Sequence, residues 1–185
     1  MGTEEELQQV CLEILRDCYH EPERIHVDSQ VPIIKDCTFV PEDGDFTLYF
    51  GHTKGDIVLY RRIDAGSDRL TENDSFKPWW QNSADELNIP FAIIEVKRGD
   101  SATTGAIRTK NEDARELRSV FPFLGYFFVA DEVDIQPQKF YRTNKRFDGA
   151  FIRRKKAATP NWIRKKVIKN GIEPHLNQLE DVGVL

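Results

Sequence analysis

Apolar residues in the first twenty positions recur with the period of an α-helix. Thr3 and Glu6 have the T-x-x-E spacing of a capping box, which marks the start of a helix. The apolar stripe that follows consists of Leu7, Val10, Cys11, Ile14, Leu15 and Cys18. Because these positions are mostly three or four residues apart, they lie on one face of a helix. We expect this face, including both cysteines, to pack against the core.

Most of the remaining apolar runs are short and end at turn residues, which is typical of β-strands. The predicted strands are 25–34, 46–50, 56–60, 91–97, 124–130 and 147–152. A second helix is predicted over 101–120, and a third starts at Pro160, with Thr159 as its N-cap, and ends at Gly171. This order predicts an α/β fold with a central mixed β-sheet flanked by α-helices.

The length of 185 residues fits a single domain, 1–185, with a sizeable core. The polar stretch at about 62–89 reads as an inserted loop. Trp79 and Trp80 in this loop would either stack on bases or anchor the loop to the core or to a partner, and both interpretations stay open. No apolar run is long enough to span a membrane, and the acidic N-terminus lacks the apolar segment of a signal peptide. We therefore expect a cytoplasmic protein.

Two of the apolar runs carry charged residues at their ends. Asp56 opens the run 56–60, and Glu95 and Lys97 close the run 91–97. Alternate side chains of a strand share a face, so Glu95 and Lys97 point the same way. If the two strands pair antiparallel, they lie about 5 Å apart and Asp56 is next to Glu95. Two carboxylates and an ammonium group would then meet at one edge of the sheet.

This combination of charges predicts metal-dependent chemistry. Mg²⁺ prefers one or two carboxylates together with water and substrate phosphate, and Mn²⁺ is a common substitute. A metal site with Lys97 beside it makes phosphodiester hydrolysis the leading hypothesis. Charged residues at strand ends are also common without any catalytic role. A site is favoured here because the charges interrupt a run that should be buried, where unpaired charge is costly.

The four histidines and three cysteines point to no alternative metal centre. The cysteines lack zinc-ligand spacing, and no two histidines form a His-x₃-His pair. The chain also lacks a Walker A loop, a G-x-G-x-x-G fingerprint and a G-x-S-x-G elbow. A zinc hydrolase or a histidine-metal nuclease therefore has little support.

Gly-Asp-Ile-Val at 55–58, followed by Ile-Ile-Glu-Val-Lys at 93–97, resembles the PD-(D/E)xK nuclease superfamily, which has the restriction-endonuclease-like fold. The resemblance covers about 56–130 well and the remainder in outline. It implies a metal-dependent DNA endonuclease in which Asp56 and Glu95 bind Mg²⁺ and Lys97 is the catalytic lysine. The carbonyl of Val96 is implied as a further ligand. Gly55 stands where the signature often has proline, and the long interval between Asp56 and Glu95 implies an inserted loop.

The resemblance also implies contributions from two helices. Many members have a glutamate on the first helix that contacts the metal, and Glu13 fits this role better than Glu6 because it lies farther from the helix end. The alternative is a glutamate that simply faces solvent. Members often place a glutamine or lysine on the helix after the Glu-x-Lys strand, and Lys110 or Arg108 matches that position.

The net charge of −5 is unevenly distributed. Residues 1–138 hold 14 Lys/Arg and 27 Asp/Glu, whereas residues 139–185 hold 12 Lys/Arg and 4 Asp/Glu. A basic segment such as 139–169 is typical of a surface that binds a phosphate backbone. With the site helix included, the candidate nucleic-acid contacts are Lys110, Arg153, Arg154, Lys155, Lys156, Arg164 and Lys165.

Two further interpretations of the whole chain remain open. One is a non-catalytic nucleic-acid-binding module that keeps the fold, and the other is a nuclease subunit that docks on a protein partner through the basic segment. Cutting both strands of a duplex commonly uses two sites related by two-fold symmetry, so a homodimer is also considered.

Overall fold

A computed structural model of the chain describes most of its residues. The described ranges are 2–21, 23–42, 45–64, 86–136, 140 and 144–185, with the backbone alone described at 37–42, 45–50, 64, 86 and 87. Trp79 and Trp80, and the middle of the predicted inserted loop, lie outside these ranges. Both interpretations of the two tryptophans, stacking on bases and anchoring the loop, therefore stay predictions.

The fold is α/β, as predicted, with a five-stranded mixed sheet flanked by helices. In chain order the elements are α1 (Glu4–Tyr19), β1 (His26–Ser29), β2 (Pro32–Glu42), β3 (Asp45–Lys54), β4 (Ile57–Asp64), β5 (Glu86–Arg98), α2 (Thr104–Val120), β6 (Gly125–Val133), β7 (Gly149–Arg154) and a C-terminal helix over 160–181. The strand order in the main sheet is β1-β4-β5-β6-β7. Pairing is antiparallel from β1 to β5 and parallel from β5 to β7.

The prediction of one strand over 25–34 is wrong, because the chain turns at Gln30. This residue has a left-handed backbone (φ 55°), and its N–H donates to the carbonyl of Gly55 (3.1 Å). The turn divides the segment into β1, which joins the main sheet, and β2, which forms a separate two-stranded sheet with β3. Apolar residues lie on both sides of the turn, and the prediction joined them across the polar residues Asp28, Ser29 and Gln30.

The predicted loop at about 62–89 is shorter than expected at both ends. β4 continues to Asp64 and β5 begins at Glu86, and the two strands pair through Arg61 with Ile89 and Ile63 with Leu87. The polar composition of these ends misled the prediction, since an antiparallel pair can extend with one face in solvent.

The main sheet is covered on both faces. One face carries α1 and the C-terminal helix, and its core includes Leu15, Ile94 and Val129. The opposite face carries α2 and contains Leu117 and Phe128. Alternate residues of β5 and β6 point into the two cores, so both strands are buried on both sides.

α1 begins with the predicted capping box, in which the Thr3 side chain and the Glu6 side chain each accept the other's backbone N–H. Cys11 is buried as expected, whereas Cys18 is exposed, so the prediction for Cys18 is wrong. Cys18 lies in the last turn of the helix at the margin of the packed face, where Arg164 approaches its sulfur (3.4 Å).

The C-terminal helix starts at the predicted N-cap Thr159 with Pro160 in its first turn, but it does not end at Gly171. An α-helical turn (Pro160–Trp162) leads into a π-helical stretch (Ile163–Ile172) and then an α-helix (Glu173–Asp181). Gly171 lies inside the helix because it packs on β7, where a Cβ atom would lie 2.4 Å from the Phe151 ring. None of the helices in the described ranges is long and apolar enough to cross a membrane.

Candidate metal and catalytic site

The predicted antiparallel pairing of the two charged runs is confirmed. Ile57 pairs with Ile94, which places Asp56 beside the end of β5. The Val96 N–H donates to Asp56 Oδ2 (2.9 Å), and Lys97 Nζ lies 3.8 Å from the same oxygen. The strand register therefore brings Asp56, the Glu95–Val96 backbone and Lys97 to one point on the sheet edge.

Asp56 is held in place by its backbone as well as by its carboxylate. Gln8 on α1 donates to the Asp56 carbonyl (2.6 Å), and Gln30 approaches Oδ1 (3.4 Å). The preceding Gly55 is buried, and a Cβ atom there would lie 2.8 Å from Ile93 Cγ2. A glycine is needed at this position because the turn into β4 passes directly over β5.

Glu95 is completely buried and has two close partners. Tyr126 Oη donates to Oε1 (2.7 Å), and Lys110 Nζ lies 3.1 Å from Oε2. The Lys110 ammonium is therefore the charge that balances Oε2 inside the core. Burial, and then the nearby Asp56 carboxylate, raise the pKa of Glu95 to about 7, although Lys110 and Tyr126 act in the opposite direction.

Lys110 lies on the side of α2 that faces the site, as the resemblance implied. It is paired with Glu95 and also lies 3.6 Å from Asp113. Burial alone would lower the pKa of Lys110, but the surrounding carboxylates outweigh it and the pKa is raised. Its ammonium group therefore stays charged and balances Glu95, which differs from the predicted role as a nucleic-acid contact.

Lys97 has a partner that the sequence did not predict. Glu4 Oε1 lies 2.6 Å from Lys97 Nζ, and Ser101 Oγ donates to Glu4 Oε2. The side chain of Lys97 is only 15% exposed. A helix-1 glutamate thus does reach the site, but it is the first residue of α1 rather than Glu13.

Glu13 is exposed and accepts a hydrogen bond from Gln9, one turn earlier (2.9 Å). Glu4 and Gln8 share the side of α1 that reaches the site. At about 100° per residue, Glu13 is rotated about 180° from Glu4 and points away. The structure therefore does not support the prediction of Glu13 as a metal ligand, and Glu6 is occupied by the capping box.

The predicted basic residues fall into two groups. β5, β6 and β7 are parallel, and Arg98, Asp131 and Arg153 stand side by side across them. Arg153 to Lys156 therefore lie at the same sheet edge as Lys97, two strand spacings or about 10 Å away. Arg154 pairs with Asp134, while Lys155 and Lys156 are exposed.

Arg164 and Lys165 form the second group, on the exposed side of the C-terminal helix. Arg164 pairs with Asp17 (3.2 Å), which lies about 20 Å along α1 from Glu4. This pairing directs Arg164 away from the end of α1 that contacts Lys97.

A second buried carboxylate, Asp131, lies near the end of β6, one residue beyond the strand predicted over 124–130. Its Oδ2 accepts the Ala158 N–H (2.6 Å), and its Oδ1 lies 3.3 Å from Arg98 Nε. Arg98 also contacts Glu132 (2.8 Å) and the Thr3 carbonyl (3.3 Å). The Asp131–Arg98 pair therefore links β5 and β6 to the start of α1.

The donor atoms at Asp56 and Glu95 fit a hard divalent cation. Both side chains offer carboxylate oxygens, and the buried Glu95 Oε2 already lies next to a positive charge, the Lys110 ammonium (3.1 Å). Two carboxylates suffice for Mg²⁺, which keeps several water ligands. Across the described ranges, however, no group of three or more His, Cys, Asp or Glu residues is placed to hold a metal. The Val96 carbonyl remains a predicted ligand.

Known proteins add no independent assignment for this site. No protein-family model matches the chain, and no curated protein matches it.

Proposed function

We propose that this protein is a metal-dependent endonuclease that hydrolyses phosphodiester bonds in DNA, and that its fold is restriction-endonuclease-like. The observation that carries the proposal is the meeting of Asp56, Glu95 and Lys97 where β4 begins and β5 ends. Glu95 is buried, and the neighbouring Asp56 contributes to its raised pKa. A costly pair of like charges in a confined place is typical of a functional site.

Each residue has a specific task on this proposal. Asp56 and Glu95 would hold Mg²⁺, which supplies charge neutralisation at the phosphate and lowers the pKa of bound water. The Val96 N–H fixes the Asp56 carboxylate, while Tyr126 and Lys110 fix Glu95. Lys97 Nζ would donate a hydrogen bond to a non-bridging phosphate oxygen. Water would add to phosphorus and lose one proton to solvent, one P–O ester bond would break, and the departing alkoxide would take up a proton.

The cations at the sheet edge favour nucleic acid as the substrate. Lys155 and Lys156 are exposed at the end of β7, on the same edge as Lys97. A phosphate backbone bound along these side chains would pass within about 10 Å of the site.

A non-catalytic nucleic-acid-binding module is the second candidate, and two ion pairs favour it. Glu4 already neutralises Lys97 (2.6 Å), and Lys110 already neutralises Glu95 (3.1 Å). Such internal pairing would stabilise the charges without any metal. In that case DNA binding would be sensitive to salt but independent of divalent metal and of Lys97.

The test is cleavage of supercoiled plasmid and of branched DNA with Mg²⁺ or Mn²⁺. The wild type should cleave, and Glu95→Gln and Lys97→Ala should not. Glu13→Gln is the matched control, because Glu13 is an exposed acid on the far side of α1. Absence of cleavage by the wild type with either metal, together with metal-independent binding that Lys97→Ala leaves unchanged, would establish the second candidate instead.

A further inference from the structure

The first turn of α1 contacts the end of β5 and the turn that follows it. Glu4 Oε1 lies 2.6 Å from Lys97 Nζ, and Ser101 Oγ donates to Glu4 Oε2. One residue earlier, the Thr3 carbonyl accepts a hydrogen bond from Arg98 Nη1 (3.3 Å). Both carboxylate oxygens of Glu4 are therefore engaged at the proposed catalytic site, and one of them is bound to its lysine.

The charges around the site do not balance. Four carboxylates lie within 3.8 Å of the ammonium groups of Lys97 and Lys110, and they belong to Glu4, Asp56, Glu95 and Asp113. When all six groups are ionised, the site carries an excess of two negative charges. A phosphodiester is itself an anion, so this excess opposes its binding. One divalent cation would cancel the excess.

Among these acids, Glu4 is the one that takes the place of the substrate at Lys97. The proposed function needs the Lys97 ammonium to donate to a phosphate oxygen, but the ammonium already contacts Glu4 at 2.6 Å. A carboxylate and a phosphate are both anionic acceptors, and their mutual repulsion disfavours the binding of both to one ammonium group. Glu4 and a phosphate therefore compete for Lys97.

The turn that carries Glu4 can leave the sheet edge without opening the core. None of residues 2–6 is buried, and the first buried residue of α1 is Leu7. The contacts of this turn at Glu4 and Thr3 are polar, so water can replace them when the turn moves. Helix ends are among the parts of a fold that open at the lowest free energy. Release of Glu4 from Lys97 is therefore compatible with an intact fold.

We propose that Glu4 is an autoinhibitory counterion, which keeps Lys97 from a phosphate unless a divalent cation is bound. The inference rests on the proposed function for the identity of the substrate and adds the regulation of its site. Without metal, the negative excess and the Glu4 contact both oppose a phosphate at Lys97. DNA binding is therefore coupled to metal binding, and by linkage each ligand strengthens the binding of the other by the same factor.

The test is equilibrium binding of a fluorescein-labelled DNA duplex in EDTA, where cleavage plays no part. Glu4→Gln keeps the size of the side chain and removes its charge. Glu5→Gln is the matched control, because Glu5 is an exposed acid in the same turn of α1 and forms no ion pair with Lys97. Both substitutions are repeated in a Lys97→Ala background. A second titration contains Ca²⁺, which also takes carboxylate ligands, and a gel confirms that the DNA stays uncut.

In EDTA, Glu4→Gln should bind DNA about tenfold more tightly than the wild type. Its slope of log affinity against log salt should be steeper by about 0.9, because one more lysine reaches a phosphate. Glu5→Gln should change the affinity about threefold or less. In the Lys97→Ala background, Glu4→Gln should gain no more than this control. Ca²⁺ should strengthen DNA binding by the wild type more than binding by Glu4→Gln.

Four results would each overturn the inference. They are equal affinities of Glu4→Gln and the wild type in EDTA, an equal gain in Glu5→Gln, a gain that persists without Lys97, and equal strengthening by Ca²⁺ in the wild type and Glu4→Gln. Absence of DNA binding in every condition would overturn it as well. Failure of the nuclease proposal alone would appear as the expected binding pattern without cleavage in Mg²⁺ or Mn²⁺. Failure of this inference alone would appear as cleavage by a wild type whose DNA binding in EDTA is indifferent to Glu4→Gln.

Discussion

Two carboxylates are fully buried on neighbouring strands, and their surroundings differ in kind. Glu95 on β5 faces Tyr126, Lys110 and a second carboxylate, Asp56. Asp131 on β6 faces a backbone N–H and Arg98. Burial raises the pKa of both acids, and the first additional influence on Glu95 is another acid, whereas on Asp131 it is the Ala158 N–H, which lowers the pKa.

This difference distinguishes Glu95, which belongs to the proposed site, from Asp131, which links elements of the fold. Arginine remains charged at all ordinary pH values, and Arg98 connects Asp131 to Glu132 and to the Thr3 carbonyl. Arg98 and the Ala158 N–H both favour the ionised form of Asp131. Glu95 is placed beside a like charge, so a proton or a cation would stabilise it. We infer that burial alone does not mark a functional acid, but that the nature of its partners does.

The largest expected contrast is in cleavage. Glu95→Gln removes a proposed metal ligand and should lower the rate of Mg²⁺-dependent cleavage about 10³-fold. Asp131→Asn should stay within about tenfold of the wild-type rate per folded molecule, because Asp131 contacts no group of the proposed centre. Initial rates on plasmid DNA, normalised to the folded fraction, provide the measurement. Equal losses in both variants would contradict the division into a site and a structural link.

The pH dependence of stability should separate the two acids next. Because the pKa of Glu95 rises from an ordinary 4.5 to about 7 on folding, the folded state binds its proton more tightly than the unfolded state does. Stability from this group is therefore present below pH 4.5 and is lost as the pH rises through 7. Between pH 5 and pH 8, the wild type should lose about 2–3 kcal/mol relative to Glu95→Gln.

Urea unfolding of the wild type and Glu95→Gln at several pH values would measure this difference. Saturating Mg²⁺ at pH 8 should restore part of the lost stability in the wild type but not in the variant, since a bound cation offsets the buried charge. Parallel pH profiles of the two proteins would show that Glu95 is ionised without a penalty, which would remove the physical basis for the site.

Loss of the Asp131 link should appear mainly as loss of stability. Asp131→Ala leaves Arg98 without a buried partner and the Ala158 N–H without an acceptor. The free energy of unfolding should fall by about 3 kcal/mol. Asp134→Ala is the control, because its ion pair with Arg154 involves an aspartate side chain that is 69% exposed, and it should cost less than about 1 kcal/mol. If Asp131→Ala costs as little as the control, Asp131 does not contribute substantially to the stability of the fold.

The sequence predicted the half of the site that depends on strand pairing. The apolar run that begins at Asp56 and the run that contains Glu95 could be aligned, because a shift in register would turn their buried side chains to the wrong face of the sheet. Glu4 could not be found in this way, since nothing local indicates that the first turn of α1 meets the end of β5, more than ninety residues later. Asp131 was missed for the same reason, because its partner Ala158 is distant in sequence and an acid after an apolar run normally marks a strand end.

The errors in the fold prediction have a related cause. At Gln30 a backbone turn divides one predicted strand between two sheets, and at Gly171 a glycine packs against Phe151 and does not end the helix. Periodicity describes which side of an element is buried, but it does not describe what lies opposite. Features that depend on a contact with a residue distant in sequence could therefore not be predicted from the sequence pattern.

The smallest predicted effect concerns DNA binding by the residues next to Asp131 at the same edge of the sheet. Arg153 stands beside Asp131 on β7, whereas Arg164 pairs with Asp17 at the far end of α1. If the backbone of bound DNA follows the edge from Lys97 to β7, Arg153→Ala should weaken binding about threefold and reduce the slope of log affinity against log salt by about 0.7–0.9. Arg164→Ala removes the same charge elsewhere and should change neither quantity. Titrations of labelled DNA at several salt concentrations would measure both slopes. Equal slopes for the two variants would mean that bound DNA does not contact Arg153 in particular. A change in Arg153→Ala alone would mean that the DNA-binding surface extends from Lys97 across β6 to β7.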